Sequence, residues 1–558
     1  MSTVPTSLPG CAPTGLVPLV IGVTGHRDLD PGDYPAYRLR IAALFAQLRR
    51  LYPSTPLRII SALAEGADRL AAEVALECGC ELLVPLPLER HDYELDFPNS
   101  VEEFKTLLDR VPAEQVFVLP QLPGEAPHDC GTVRRDRQYR EVGAYIAAQS
   151  HVLLALWDGL PNESIAGTAA VVRLKLEGAL PNDSRQLSAL DSEDGGPVVH
   201  ILARRAGSGP RPDVPPKWIF PNDTEEKLFR TLCGRIDRFN ADAARLRGAA
   251  AAASLIPDLG TRPANDRNLA AVFVTADRLA HRYQRLTHSA LRLLVGLAAA
   301  LALTFELYAE ILPRRALPSI YLLIFTLIVL LYLWQKRLDA HGRYLDYRAL
   351  AEGIRVQFYW RLAGLTDSAA ANYLRKQLDE LRWIREALRG AGAIPAPTQP
   401  RLDLVFGSWV HHQAQYYRGR ARLQERRAHR IEQLSLLCLA LGLVTTAGLV
   451  GFWNSLERMG LWHHWLVLVM GFAPIVAALW ETYGERFGLR TQAHQYARFA
   501  AIFGRAEQAI VRLQTESADV QRNKRELALI RELGREALME SGDWVLLLRD
   551  RPVVLPKG

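Results

Sequence analysis

The sequence predicts a doubly wound α/β domain at the N-terminus, followed by an all-α membrane domain with four transmembrane helices in two tandem hairpins. Three observations lead there. Between Pro18 and Arg204, short runs of Val, Ile and Leu alternate with amphipathic helical stretches, the pattern of a sheet covered on both faces. Beyond Asn268, four almost purely apolar runs each approach the length that a helix needs to cross a bilayer. Basic residues crowd beside those runs instead of forming a stripe on one soluble domain. Residues of the 558-residue chain are 49% hydrophobic and 23% charged, and the mean hydropathy is −0.02. Apolar and charged sequence must therefore be segregated along the chain.

In chain order, residues 1–17 read as a disordered tail, because they hold neither the basic start nor the apolar stretch of a secretory signal. The domain expected over 18–206 has six candidate strands: LVIGVTG, LRIISALA, ELLVPLPL, QVFVLP, HVLLALWD and PVVHILARR. In an open parallel sheet, ligands sit beyond the carboxyl ends of the strands. Three glycine-containing turns fall there. They are Thr24-Gly25-His26-Arg27, then Ser61 to Asp68 with Leu63, Glu65 and Gly66, then Asp158-Gly159 with Gly167-Thr168. Glycine admits close backbone approach, and a helix N-terminus offers free N–H groups to phosphate. His26 and Arg27 read as a phosphate-binding pair, with an exposed turn and a surface salt bridge as the alternative. Glu65 reads as an acid or base, or as a favourable charge at a helix N-terminus. Asp68 joins the ligand set, with solvent exposure beside Arg69 as the alternative.

VTGHRDL, SALAEGADRLAAE, RRDRQYREVGAYIAAQSHVLLALWDG and AGTAAVVRLKLEG together resemble the SLOG domain, a Rossmann-like fold. That resemblance implies binding of nucleotides or nucleotide-derived second messengers, and in some members hydrolysis of N-glycosidic bonds. Hydrolytic relatives carry PGGxGT closely followed by a glutamate. Here no carboxylate follows Thr168 until Glu177, more than two helical turns on. Binding is therefore expected over turnover, and no catalytic residue is assigned.

Residues 207–267 read as a linker around a short helix at Glu225 to Arg247, and residues 268–398 and 399–558 as two copies of one membrane unit. Ile384-Arg385-Glu386-Ala387-Leu388 recurs as Gly534-Arg535-Glu536-Ala537-Leu538. The expected membrane helices are 293–312, 317–334, 434–453 and 465–480. Two crossings separate the copies, so they share one orientation, which argues against an inverted-repeat transporter plan. Arg278, Arg282, Arg285 and Arg292 precede the first run. Lys336, Arg337, Arg343 and Arg348 follow the second. Similar clusters bracket the other pair, while the short tips hold only Arg314, Arg315 and Arg458. By the positive-inside rule both termini are cytoplasmic. Leu374, Leu378, Leu381 and Leu388 form an apolar stripe that implies helix packing.

VTADRLAHRYQRL, DYRALAEGIRVQFYW, WVHHQAQYYRGRA and GREALMESGDWVLLLRDRP resemble the SLATT family, membrane units that accompany SLOG domains in bacterial conflict systems and are regarded as pore-forming effectors. Polar residues inside the runs are the pore candidates, since a central acid costs about 2.5 to 3.5 kcal/mol there. These are Glu306, with Thr304, Thr445 and Thr446. Glu306 either faces a pathway or snorkels toward Arg314 or Arg315, and the threonines either line the pathway or bond to their own helix. Gly448 and Gly451, with Pro474, suggest close packing or bending. Cys78 and Cys80 read as small buried residues in preference to metal ligands, and no metal or cofactor is assigned.

The expected function is a multi-pass effector of the bacterial inner membrane. It would sense a nucleotide-derived messenger, of the cyclic oligonucleotide or cyclic ADP-ribose type, and permeabilise the lipid bilayer as a homo-oligomer in antiphage defence. A nucleic-acid polymer is excluded as partner by where the positive charge lies. The alternative is a membrane-anchored nucleotide or NAD hydrolase.

Overall fold

The structure, a computed structural model, describes residues 15–120, 132–160, 167–178, 195–207, 214–246, 255–373, 381–393, 400–458, 460–515 and 520–549. Most of the N-terminal tail, the sequence between Leu160 and Gly167, and Leu374 and Leu378 of the expected stripe lie outside these residues. Two compact units emerge. One comprises residues 1–276 with 350–400, the other residues 277–349 with 401–558.

The first unit is built on a mostly parallel sheet. In chain order it runs β1 (Leu19–Gly25), α1 (Tyr34–Leu51), β2 (Leu57–Ile60), α2 (Ala67–Glu77), β3 (Glu81–Leu86), α3 (Arg90–Glu94), α4 (Val101–Leu108) and β4 (Val116–Val118). It continues through α5 (Thr132–Gln149), β5 (Val152–Trp157), α6 (Thr168–Glu177), β6 (Val198–Leu202), β7 (Lys217–Ile219) and α7 (Asp223–Ala244). The strand order is β4-β3-β2-β1-β5-β6-β7, parallel throughout except where β7 pairs antiparallel with β6. All six strands read from sequence are present. The reason is visible in β1, β2 and β5, where nearly every residue is buried by helices on both faces. Tyr37, Ile41, Leu44, Phe45 and Leu48 recur at helical spacing along α1 and cover one face. Val142 and Ile146 of α5 with Val171 and Val172 of α6 cover the other.

Three boundaries differ from expectation. Val17 is fully buried and exchanges two hydrogen bonds of 2.9 Å with the Asn240 side chain, so the sheet domain begins inside the expected tail. The expected linker supplies β7 and α7. Its Trp218, Phe220 and Phe229 rings pack together, and Asn222 caps α7 by accepting from the Glu225 N–H. The first membrane unit, expected over 268–398, is divided, because residues 350–400 pack with the sheet.

The longer helices that follow among the described residues are α8 (Ala264–Glu310), α9 (Ala316–Leu338), α10 (Ala340–Leu362), α11 (Arg382–Ala391), α12 (His412–Gly451), α13 (Leu461–Arg486), α14 (Leu489–Gln514) and α15 (Val520–Arg549). Four stretches of helix are long and apolar enough to cross a membrane, and they contain α8, α9, α12 and α13. They coincide with the four runs read from sequence. Little of their apolar length is buried within the protein, as suits helices solvated by lipid.

Within the second unit, α12 packs on α13 and α14. Tyr417 stacks on Phe499 with centroids 4.8 Å apart. In the apolar stretch, Ser435 Oγ donates to the Ala477 carbonyl at 3.2 Å, and a Cβ on Gly442 would lie 3.3 Å from the Pro474 ring. The close approach therefore falls at Gly442. Gly448 and Gly451, expected there, face open space.

Candidate functional site at the sheet switch point

The strand order reverses between β1 and β5, because successive crossovers build outward from β1 to β4 on one side and from β5 to β6 on the other. At such a point the two adjacent turns diverge to opposite faces and leave a crevice beyond the strand ends. The first and third predicted turns meet here. His26 follows β1 and Asp158 follows β5. The Asp158 N–H donates to His26 Nε2 at 3.0 Å, and the Asp158 carboxylate lies 3.3 Å from the same atom. His26 is buried, and burial lowers its pKa, with Asp158 opposing. An Nε2 that accepts an N–H carries no proton, so His26 is the neutral staple of the crevice floor. The Asp158 carboxylate also accepts from the Leu160 N–H at 3.0 Å.

The second turn closes on the first. The Ala67 N–H donates to the His26 carbonyl at 3.0 Å, which docks the start of α2 beside β1. A Cβ on Gly66, whose φ is +74°, would lie 2.4 Å from the Arg27 carbonyl oxygen, and one on Gly25 would lie 2.3 Å from Ala67 Cβ. Both glycines are thus required by the packing of the two turns against each other. Leu63 is buried at φ +56°, a rare conformation for a residue with a side chain. It is held by its own N–H donating to Ser61 Oγ at 3.2 Å and by Arg69 Nε donating to its carbonyl at 3.1 Å.

Asp68 and Arg69 are both buried, with 7% and 4% of their surfaces exposed, which overturns the solvated reading. The Arg69 guanidinium stacks on Phe97 and donates to the carbonyl and hydroxyl of Ser100 at 2.9 and 2.7 Å. Ser100 Oγ in turn donates to Glu65, so Glu65 is part of a structural chain. Burial pushes the Asp68 carboxyl up to about 7, opposed by the charge of Arg27, an Ala64 hydrogen bond, Arg69 and the Ser61 hydroxyl.

Arg27 is exposed, with its guanidinium over the Tyr139 ring at 5.1 Å. Around it lie residues that the sequence reading did not single out. Arg135 pairs with Asp96 at 2.8 Å and donates to the Asp92 carbonyl at 2.7 Å. Tyr93 meets Phe97 and Phe104 edge to face and Tyr139 at a tilt, and it donates to the Ala62 carbonyl at 3.2 Å. The Tyr139 hydroxyl and one Asp96 carboxylate oxygen have no hydrogen-bond partner among the described residues. Arg135 and Tyr139 are four apart and share one face of α5. That spacing was the available signal.

The site can thus present an exposed cation at Arg27, the N-termini of α2 and α6, and polar groups able both to donate and to accept. Thr24 and Gly25 end β1, Gly159 follows β5 at φ +80°, and Gly167 and Thr168 open α6. Among the described residues, no three His, Cys, Asp or Glu side chains come together to hold a metal ion. Cys80 is buried, and burial raises its thiol to about 11.

In the apolar helices, Thr304, Thr445 and Thr446 each donate to a carbonyl of their own helix at 2.7 to 2.9 Å. The Glu306 carboxylate lies against α13, since a Cβ on Gly471 would be 2.8 Å from its Oε1. No ion pair joins Glu306 to Arg314 or Arg315 among the described residues. Glu310 lies 3.9 Å from His464. No protein-family model, curated protein or solved structure matches the chain.

Proposed function

We propose that the chain is a membrane effector whose SLOG-like head binds a nucleotide-derived second messenger at the β1/β5 crevice and whose SLATT-like helices permeabilise a bacterial inner membrane in response. The messenger is of the cyclic oligonucleotide or cyclic ADP-ribose type, the assembly a homo-oligomer, the setting antiphage defence, and both termini cytoplasmic. The observation that carries the reading is the switch point with exposed Arg27 at its mouth and two helices starting beside it. Phosphate is favoured by that cation and by the positive dipole ends of α2 and α6. Aromatic Tyr139, already under a guanidinium, offers a face for a base. Asp96 and Tyr139 supply polar atoms for the uncharged part of the ligand.

Binding is preferred to turnover because Glu65 and Asp158, carboxylates of the second and third turns, are engaged. Glu65 takes the Ser100 hydroxyl, and the Asp158 carboxylate takes the Leu160 N–H. Effector is preferred to anchor because four apolar helices exceed what anchoring needs, and Glu306 places a carboxylate against Gly471 inside the apolar length. A buried acid costs free energy that an anchor has no reason to spend. Glu306 is therefore the foremost pathway residue, ahead of the three threonines, which are satisfied by their own helices.

The test uses full-length protein in dye-loaded vesicles of phosphatidylethanolamine and phosphatidylglycerol. ADP-ribose, cyclic ADP-ribose isomers, NAD and cyclic dinucleotides are added in turn, and dye release and ligand consumption are read together. Release by one compound without its consumption is expected. Rapid consumption with intact vesicles would transfer the case to the hydrolase.

A further inference from the structure

The segment that follows the first pair of membrane helices in sequence returns to the sheet. Helix α11 has Trp383, Ile384, Arg385, Glu386, Ala387, Leu388 and Gly390 all buried, so it is packed on nearly every side within the first unit. Its hold is polar as well as apolar, and it is made by the sheet domain's own side chains. Arg58 of β2 donates to the Gly390 carbonyl at 2.9 Å. Tyr145 of α5 donates to the Ala393 carbonyl, and Ala393 itself is packed into the core on that face of the sheet. At the start of α11, Arg382 donates to Glu225 at 2.8 Å and to the Gly195 carbonyl at 3.1 Å.

The fourth tie is His151. Its Nδ1 accepts the Val20 N–H at 2.8 Å, so its Nε2 carries the proton and donates to the Glu386 carbonyl at 2.9 Å. A cavity beside this contact is lined by His151, Lys175, Cys233, Arg382, Glu386 and Arg389. Its charges are already engaged, Arg389 with Glu386 at 2.7 Å, Arg382 with Glu225 at 2.8 Å, and Lys175 with the Ala147 and Ser150 carbonyls. The cavity is thus a gap in the packing of α11 and not a second ligand site.

Two elements have one end at α11 and the other at the crevice. His151 directly precedes β5, and Asp158, which bonds His26, directly follows it. Lys175 lies in the last turn of α6, and Thr168 is the first residue of the same helix. A strand transmits displacement along its length because its backbone is already nearly fully extended, and a short helix because its own hydrogen bonds resist stretching. We propose that α11 is a latch whose seating on the amino-terminal edge of the sheet is coupled, through β5 and α6, to the state of the crevice at the opposite edge. The chain leaving α11 leads on to the second pair of membrane helices, so seating and release of α11 regulate what the crevice can impose on them. The regulatory meaning rests on the crevice being a ligand site, while the coupling itself is tested without any ligand.

Gly390→Val is the wedge, because a Cβ there would lie 2.7 Å from the Pro18 carbonyl oxygen and 3.0 Å from His151 Cε1. Amide hydrogen exchange is measured on the full-length protein in phosphatidylethanolamine and phosphatidylglycerol nanodiscs. The wedge is expected to speed exchange over residues 382–391 by about tenfold and to alter exchange in the turns at 25–28 and 61–66 by about threefold. Reciprocally, His26→Phe, which removes the acceptor of the Asp158 N–H, should alter exchange over 382–391, since coupling is symmetric. If Gly390→Val does not fold, Tyr145→Phe combined with Arg58→Met removes two ties without adding bulk and serves the same arm. Changes confined to the mutated end in both directions would overturn the latch. Neither permeability nor nucleotide binding enters the measurement, so failure of the effector reading would leave this result standing.

Discussion

Asp68 permits a worked prediction. Its carboxyl is buried at the start of α2 and raised from 3.8 to about 7, with burial the largest cause. The folded state therefore holds this proton over a range in which the unfolded chain has lost it. Where the native state binds more protons, stability falls as pH rises. With those two values, the group contributes about 2 kcal/mol more stability at pH 5.5 than at pH 7.5. A carboxamide cannot titrate in this range, so Asp68→Asn should abolish that slope. The mutant should be less favoured relative to wild type at pH 5.5 and gain on it by about 2 kcal/mol at pH 7.5. Native-state hydrogen exchange over β2 and α2 reads the difference locally in a protein too large for a two-state melt. A wild-type minus mutant difference that is flat between the two pH values would refute the burial argument. So would a slope of opposite sign, which would mean that Arg27 dominates.

Four further outcomes follow from the geometry. Arg27→Gln should leave the melting temperature unchanged, because the side chain is exposed, while weakening any nucleotide that wild type binds by about 1.5 to 3 kcal/mol in calorimetry. Gly442→Val, aimed at the Pro474 ring, should destabilise the second unit by about 1 to 3 kcal/mol, whereas Gly448→Val, which faces open space, should be near neutral in the same detergent melts. Burial holds His151 down to about 4, with Glu386 opposing and Arg389 and Lys175 assisting. A histidine lowered in the folded state costs stability as pH falls from about 6.5, so exchange over α11 should quicken between pH 6.5 and pH 4.5 and not in His151→Gln. Reporter fusions after Trp334 and after Arg549 should read as cytoplasmic and one at Leu456 as periplasmic, and a cytoplasmic signal at Leu456 would remove the four-span topology.

The strands and membrane runs were legible because each is dictated locally. Burial on both faces demands continuous apolar residues in β1, β2 and β5, and a lipid environment demands them in α8, α9, α12 and α13. The seventh strand was not legible. Lys217–Ile219 is only three residues long, sits amid Pro and Gly, and becomes a strand because β6 offers an open edge, a fact set by the whole sheet. The glycines illustrate the same limit from the other side. Gly25 and Gly66 were read as points where the backbone approaches a ligand, and what lies against them in the fold is the neighbouring turn. At the level of one sequence, a backbone that must admit a ligand and a backbone that must admit another backbone carry the same residue.

The repeated pentapeptide carries this argument into energetics. Arg385-Glu386 in the first copy is buried, while Arg535-Glu536 in the second is half exposed, although the sequences differ at only the leading residue. The charges in the first copy are tolerable because Arg389 and His151 lie beside Glu386, and its carboxyl is held near 2 by Arg389, His151, Arg382 and Arg385 against the cost of burial. Removing Arg389, which pairs with Glu386 directly, would leave that buried charge poorly matched, which is more costly than never having buried it. None of those partners outside α11 is near it in sequence, His151 being 235 residues away. The leucine stripe pointed to a packed helix in the first copy and the repeated pentapeptide to a like segment in the second, but whether the charged face meets water or a matched cavity is decided by residues that only the folded sheet brings to it. For the same reason the helix that holds the latch reads, in sequence, as the ordinary cytoplasmic end of a membrane repeat.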